Sequence, residues 1–211
     1  TEMPLVCAFD SIPGIKPYLG LFEGCCTGAA DGYGRMADKP AMTLLHLGPG
    51  LGNGIANLHN AGKGRTPVFN VIGEHATWHR SADSPLSMDI VALAESVSGW
   101  QRTSTVSQHL SQDTADAITA ALSGKVATLI VPSDVQWSEK SGDDKIHPPK
   151  AFDGFVETES IERAVALLRT EKKAALILGG RALRPRGLAA AARIKIQTGC
   201  GIISERAPAC M

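Results

Sequence analysis

The chain has 211 residues, 44 % of them hydrophobic, enough for one ordinary domain with a real core plus a fragment of another. Lys+Arg and Asp+Glu both number 21, so the formal net charge is zero. That balance excludes the basic footprint of a nucleic-acid or membrane-surface partner, and no run approaches the roughly 18 apolar residues of a membrane span.

Thr1 to Asp10 predicts an amphipathic helix, with Met3, Val6, Cys7 and Asp10 spaced by three or four, broken by Ser11-Ile12-Pro13-Gly14. Thr1 is not an initiator methionine and no strand precedes this helix, so the chain reads as a piece of something longer. Ile15 to Phe22 predicts a short strand, with Pro17 at its beginning or on an edge. Glu23 to Met36 predicts a helix despite Gly24, Gly28, Gly32 and Gly34, each costing about 0.5–1 kcal/mol relative to alanine. Close approach of a backbone or a ligand is the usual compensation. Ala41 to Leu47 is an almost wholly apolar strand, as in a parallel sheet covered on both faces. Gly48-Pro49-Gly50-Leu51-Gly52-Asn53 follows as a glycine-rich turn, and Leu51 to Gly62 predicts a helix.

Thr66 to Gly73 predicts the next strand, ended by Glu74-His75. A polar loop, residues 76–87, holds Trp78, His79, Arg80 and Asp83. Met88 to Val97 predicts a helix, Trp100 to Thr103 a strand, Ser107 to Leu122 a helix and Val126 to Pro132 a buried strand. Ser138 to Phe152, with Ser141-Gly142-Asp143-Asp144 and His147-Pro148-Pro149, reads as a linker. Beyond it come a helix capped by Ser160, a strand over Ala174 to Leu178, a helix over Leu188 to Thr198 and a strand from Gly201. Alternation of strands and helices predicts an α/β fold with an open parallel sheet flanked by helices, followed by an incomplete second α/β domain. The expected boundaries are 1–137 for the first domain, 138–154 for the linker and 155–211 for the partial second domain.

Glu23 and the glycine-rich turn both fall where strands end and helices begin, the edge at which parallel α/β sheets bind ligands. Two readings stand side by side: a small-molecule site, or glycines that merely let turns be tight. The dinucleotide fingerprint G-x-G-x-x-G fails in both registers, with Asn53 or Ile55 at its third glycine. Gly62-Lys63-Gly64-Arg65-Thr66 lacks the spacing of a P-loop. His75 and His79 are four apart, but they lack the accompanying glutamate of a helical zinc motif. The five cysteines, Cys7, Cys25, Cys26, Cys200 and Cys210, form no CxxC pair. Reduced and mostly buried thiols, without a metal site, are expected.

Glu23, Gly28-Ala29-Ala30-Asp31-Gly32-Tyr33-Gly34-Arg35, Gly48-Pro49-Gly50 with Asn53, and Pro67 to Gly73 resemble, in order and spacing, the aminopyrimidine-binding domain of thiamine diphosphate enzymes. The branch they resemble is the acetolactate synthase large subunit and its relatives, which include benzoylformate decarboxylase. The resemblance covers roughly residues 1–135; residues 155–211 resemble the start of that family's middle domain. It implies the thiamine diphosphate-binding fold, thiamine diphosphate as cofactor, and an enzyme that decarboxylates a pyruvate-like 2-oxo acid with carboligation. The alternatives are a 2-oxo acid decarboxylase of the benzoylformate type and a non-catalytic paralogue that keeps the fold.

By that resemblance Glu23 bonds the pyrimidine ring nitrogen and promotes the imino form that activates the cofactor, a role that burial would favour by raising its pKa. Gly48, Pro49 and Gly50 admit the ring, and Asn53 holds the loop or the cofactor. His46 occupies the position of a proton-relaying histidine of decarboxylase relatives. Glu74 and His75 border the substrate cavity. Magnesium is expected, with its ligands in a C-terminal domain outside this sequence; no metal ligand is assigned within it, and flavin binding is left open. The implied partners are a small-molecule 2-oxo acid and further copies of the chain, as a homodimer or homotetramer with the cofactor between subunits. Nucleic acid and membrane are not expected as partners, and the implied location is cytoplasmic.

Overall fold

A computed structural model describes residues 1–139, 147–150, 154–170 and 173–205. It divides the chain into two compact units, Thr1–Phe152 and Asp153–Met211. The Ser141-Gly142-Asp143-Asp144 stretch and Cys210 lie outside the described residues.

The first unit runs α1 (Met3–Ser11), α2 (Glu23–Ala37), β1 (Ala41–His46), α3 (Leu47–Lys63), β2 (Val68–Glu74), α4 (Ile90–Glu95), β3 (Trp100–Thr103), α5 (Ser107–Leu122), β4 (Val126–Pro132) and α6 (Ser133–Trp137). Its four described strands are all parallel, in the order β1-β2-β4-β3. The two central strands, β2 and β4, are buried along their whole length. That burial is why Val126 to Pro132 reads as a continuous apolar run rather than an alternating one. On one face Leu45, Val68, Ile72, Val126 and Ile130 pack against Leu51, Leu58 and Ala61 of α3 and Ile90 and Ala94 of α4. On the other, Phe69, Val71, Ala127, Leu129 and Val131 pack against Ala117 and Ala121 of α5 and Val135 of α6, with Leu5 of α1 alongside.

One row across the sheet is polar. Thr43, Asn70 and Thr128 are register partners on β1, β2 and β4. Thr43 donates to Asn70 Oδ1 at 2.8 Å, and Asn70 Nδ2 donates to Thr128 Oγ1 at 3.1 Å. The polar groups of these three side chains are therefore satisfied inside an otherwise apolar sheet.

Several elements differ from the sequence expectation. Residues 15–22 form no strand: Leu19 and Leu21 are 92 % and 97 % exposed, and the backbone there pairs with no described strand. Pro17 removes a ladder donor, and apolar character makes a strand only where a sheet edge accepts it. Gly48-Pro49-Gly50 is not a turn ahead of the helix but its opening, because α3 begins at Leu47. The reversal is made one residue earlier, by Leu47 at φ 54°. Pro49 is tolerated there because the first turn of a helix has no internal use for its N–H.

α4 starts at Ile90, capped by Asp89 accepting from the Ala92 N–H, rather than at Met88. Cys7 and Cys25 are exposed, and Cys200 alone is buried among the described cysteines, so the expectation of mostly buried thiols is corrected.

The second unit holds α7 (Thr158–Thr170), β5 (Ala175–Leu178), α8 (Pro185–Thr198) and β6 (Gly201–Ser204), with β5 and β6 paired in parallel. Ser160 lies inside α7 and not at its cap. Only Ala191 and Cys200 are buried among the described residues of this unit.

The helices α2 and α3 approach closely through small residues. A Cβ at Gly54 would lie 2.8 Å from Thr27 Cγ2. The Thr27 hydroxyl is 2.9 Å from the Gly54 carbonyl, and Asn57 Nδ2 donates to the Gly24 carbonyl at 2.7 Å. At Gly52, two residues away and on nearly the opposite side of α3, a Cβ would meet nothing within 4 Å. We predict that Gly54→Ala destabilises the chain by about 1–3 kcal/mol through overpacking. Gly52→Ala gains about 0.5–1 kcal/mol from helix propensity. Urea denaturation of both variants measures the contrast, and equal effects would contradict it.

Candidate cofactor and substrate site

The carboxyl ends of the parallel strands carry His46, the last residue of β1, and Glu74, the last residue of β2. Glu23 reaches the same neighbourhood from the first residue of α2. Its position follows from the helix pair: the Thr27–Gly54 and Asn57–Gly24 contacts fix the start of α2 against the middle of α3.

Glu23 is half-buried, and its Oε2 accepts a hydrogen bond from Asn53 Nδ2 at 3.1 Å. A Cβ built on Gly50 would sit 3.7 Å from Glu23 Oε1. The expected group of Glu23, Gly50 and Asn53 is thus assembled. Asn53 aims one carboxylate oxygen, and the bare Gly50 leaves space beside the other. The negative end group also sits at the start of a helix, where the dipole favours it. Gly48 and Gly50 are buried, and Pro49 is exposed between them. A Cβ on Gly48 would strike Met88 at 2.3 Å, so Gly48 serves the approach of the loop carrying Met88.

His46 is placed differently from a buried relay. Its side chain is 45 % exposed, and Nδ1 lies 2.7 Å from Glu2 Oε2 and 3.1 Å from Thr1 Oγ1. Glu2 is the partner that sequence reasoning missed; 44 positions separate the two, and no local pattern joins them. A Nδ1–H donated to a carboxylate leaves Nε2 as the free nitrogen of the neutral ring. Burial works to raise the Glu2 pKa, but hydrogen bonds from Thr1 and His46 outweigh it and hold the carboxyl below its ordinary value of 4.5. The backbone of Glu2 lies over Gly73, where an added Cβ would come within 3.0 Å of the Glu2 nitrogen. The start of the chain is therefore laid across the ends of β1 and β2.

Glu74 is 4 % exposed, and its Oε1 accepts from the His75 N–H at 2.8 Å. It lines a pocket of about 430 Å³ together with Thr77, Arg80, Ser81, Ser87 and Met88. His75 is not among these lining residues: its Nε2 lies 2.9 Å from Ser84 Oγ, and its ring meets that of His79 edge-on at 5.3 Å. Among the described residues no group of three His, Cys, Asp or Glu side chains is placed to hold a metal ion, and no helix is long and apolar enough to cross a membrane.

Comparisons with known proteins bear on this geometry. Residues 1–93 match the family described as thiamine pyrophosphate enzyme, N-terminal TPP binding domain; thiamine pyrophosphate is thiamine diphosphate under its older name. A Mycobacterium tuberculosis protein provisionally named acetolactate synthase large subunit IlvX is 45 % identical over 212 residues, which cover 100 % of this chain and 41 % of that protein. Benzoylformate decarboxylase of Pseudomonas aeruginosa is 29 % identical over 141 residues, 65 % of this chain and 26 % of that protein. Among solved structures, a thiamine diphosphate-dependent 4-hydroxybenzoylformate decarboxylase of Rhodococcus jostii RHA1 superposes with a TM-score of 0.82 at 20 % identity, over 98 % of this chain and 40 % of that one. That likeness shows the fold. The chain spans about two fifths or less of the length of these relatives.

The Glu2–His46 pair predicts a pH-dependent stability. A carboxyl whose pKa is depressed on folding stabilises the fold above its unfolded pKa, and that contribution is lost as pH falls through the folded value. Glu2→Gln is expected to cost on the order of 1 kcal/mol at pH 7. The difference in thermal midpoint from the wild type should shrink as the pH drops below 4.5. Thermal unfolding from pH 7 to pH 3 measures it, and a difference constant with pH would contradict the assignment.

Proposed function

We propose, from the match of residues 1–93 to the thiamine pyrophosphate enzyme N-terminal domain, that this chain belongs to those enzymes and is part of one that acts on 2-oxo acids by decarboxylation with carboligation. The observation that carries the reading is the Glu23 carboxylate, pinned on one oxygen by Asn53 and bordered on the other by the bare Gly50. Those residues fit an aminopyrimidine: a carboxylate for a ring nitrogen, and space where a side chain would block the ring.

When bound, the cofactor supplies a nucleophilic thiazolium carbon. The task of this chain is to hold it and to manage protons. Glu23 shares a proton with the pyrimidine ring nitrogen, a transfer favoured where water is kept away. Asn53 keeps the carboxylate turned toward the Gly50 gap. His46, with Glu2 on Nδ1, presents Nε2 for exchange of a proton with substrate. Glu74 and His75 stand at the border of the substrate cavity, Glu74 in its wall and His75 behind it.

Diphosphate and magnesium are to be held by a part of the enzyme outside this sequence. A homodimer or homotetramer with the cofactor between subunits, in the cytoplasm, completes the proposal; this chain then contributes half a site. A second reading is simple decarboxylation that ends in protonation. It is supported by the exposed His46 at the end of β1 and by the benzoylformate decarboxylase relative. Analysis of the product of a 2-oxo acid separates the two, since carboligation yields a hydroxylated keto compound and protonation an aldehyde.

Glu23→Gln in the intact enzyme is expected to lower carbon dioxide release from a 2-oxo acid by about 10²–10⁴-fold, with the fold unchanged by circular dichroism. Unchanged turnover would reject the assignment. Absence of turnover in the wild type, with the cofactor bound, would support a non-catalytic paralogue.

A further inference from the structure

The pocket beside Glu74 has a chemistry of its own. Glu74 is 4 % exposed, yet the described hydrogen bonds engage one of its oxygens only, through the His75 N–H. The wall above it is braced. The Thr77 N–H donates to Asp134 Oδ1 on α6 at 3.1 Å, and the Thr77 hydroxyl donates to Oδ2. Burial tends to raise the Asp134 pKa, but the two bonds from Thr77 prevail and hold the carboxyl below its usual value. His75, Ser84 and Ser87 form a chain of hydrogen bonds of 2.9 and 3.0 Å that ends in the pocket at Ser87. Arg80, on the rim, makes no hydrogen bond or ion pair among the described residues. Met88 is the one apolar side chain among the six lining residues, and it abuts Gly48 in the first turn of α3. The pocket and the proposed cofactor face therefore share a wall.

The second Glu74 oxygen opens to the pocket without a protein partner among the described residues, so it can accept a hydrogen bond from a donor on a ligand, and a bond to a charged acceptor is stronger than one to a neutral group. Arg80 is exposed at the pocket, and a guanidinium can bind a carboxylate with two parallel bonds. Ser81 and Ser87 add hydroxyls, and the Thr77 hydroxyl, whose proton is given to Asp134, can only accept. With Met88 alone as apolar lining, there is no surface on which to stack an aromatic ring.

We propose that this pocket is the subsite for a short, hydroxylated aliphatic carboxylic acid, with the carboxylate on Arg80 and the hydroxyl donating to Glu74. The inference rests on the reading of the chain as part of a 2-oxo acid enzyme, and it narrows the substrate class to short acids that carry a hydroxyl rather than aryl ones. Arg80 is the anchor and Glu74 the discriminator.

Ligand-observed NMR titration of the intact protein tests the subsite with two inert probes, lactate and propanoate, which differ by one hydroxyl. Lactate is expected to bind about tenfold or more tighter than propanoate, since a site built to bond a hydroxyl is left unpaired by an analogue lacking it. Arg80→Ala should weaken both probes about tenfold or more. Glu74→Leu, similar in size and without an acceptor, should bring lactate to within about twofold of propanoate. Equal binding of the two probes to the wild type overturns the proposal and needs no variant to be read. Unchanged binding in Arg80→Ala also overturns it, as does an Arg80–Glu74 ion pair that closes the pocket and leaves neither probe bound.

Thiamine diphosphate binding measured on the same samples separates the two levels of the argument. Cofactor binding without discrimination between the probes removes the subsite alone. Discrimination between the probes without cofactor binding removes the proposed function and leaves the subsite standing.

Discussion

The close crossing of α2 and α3 is the constraint on which the site depends. Gly54 has no side chain because Thr27 occupies its place, and the Thr27 hydroxyl meets the Gly54 carbonyl at 2.9 Å. Asn57 closes the same contact from the other side, on the carbonyl of Gly24. Bringing two helix backbones together in this way spends helix propensity at several glycines, at about 0.5–1 kcal/mol each. The return is positional. Glu23, on the first turn of one helix, is held against the first two turns of the other, within hydrogen-bonding distance of Asn53 and in ordinary van der Waals reach of the place a Gly50 Cβ would occupy. A carboxylate on a loop would have no such register.

The sheet supplies the remaining groups to the same edge. Parallel strands all end on one side, so His46 and Glu74, each the last residue of its strand, emerge together. The start of the chain then crosses over them: Glu2 packs on Gly73 and takes the His46 Nδ1. On the other flank, Met88 packs on Gly48 and forms part of the Glu74 pocket. Two glycines thus let neighbouring segments close down on the edge, while Gly50 keeps a gap beside Glu23. Similar residues serve opposite ends, and the structure distinguishes them by what a Cβ would meet.

The legible part of this molecule is the part set by local patterning. Val126 to Pro132, Trp100 to Thr103 and Ser107 to Leu122 have the boundaries that their apolar runs and helical period imply. Ile15 to Phe22 has strand-like composition, but no sheet edge receives it, and composition alone does not provide one. The opening of α3 was hidden because Leu47, a residue that seldom adopts positive φ, makes the reversal that a glycine was expected to make. The grouping of Glu23, Gly50 and Asn53 was suggested by motif resemblance rather than by spacing, since nothing local tells a pinned carboxylate from a helix-start one. Glu2 with His46, and Glu74 with Arg80 at the pocket, join residues from separate elements or opposite ends of a loop. Their meeting is a product of topology, which single-sequence periodicity does not encode.

The most direct test is a crystal structure of the intact protein with thiamine diphosphate and magnesium. The account predicts the Glu23 carboxylate about 2.6–3.2 Å from a nitrogen of the pyrimidine ring, as proton sharing requires, with Asn53 still bonded to its other oxygen and the ring in the gap beside Gly50. A ring bound elsewhere, or Glu23 turned away into solvent with its Asn53 bond broken, would contradict it.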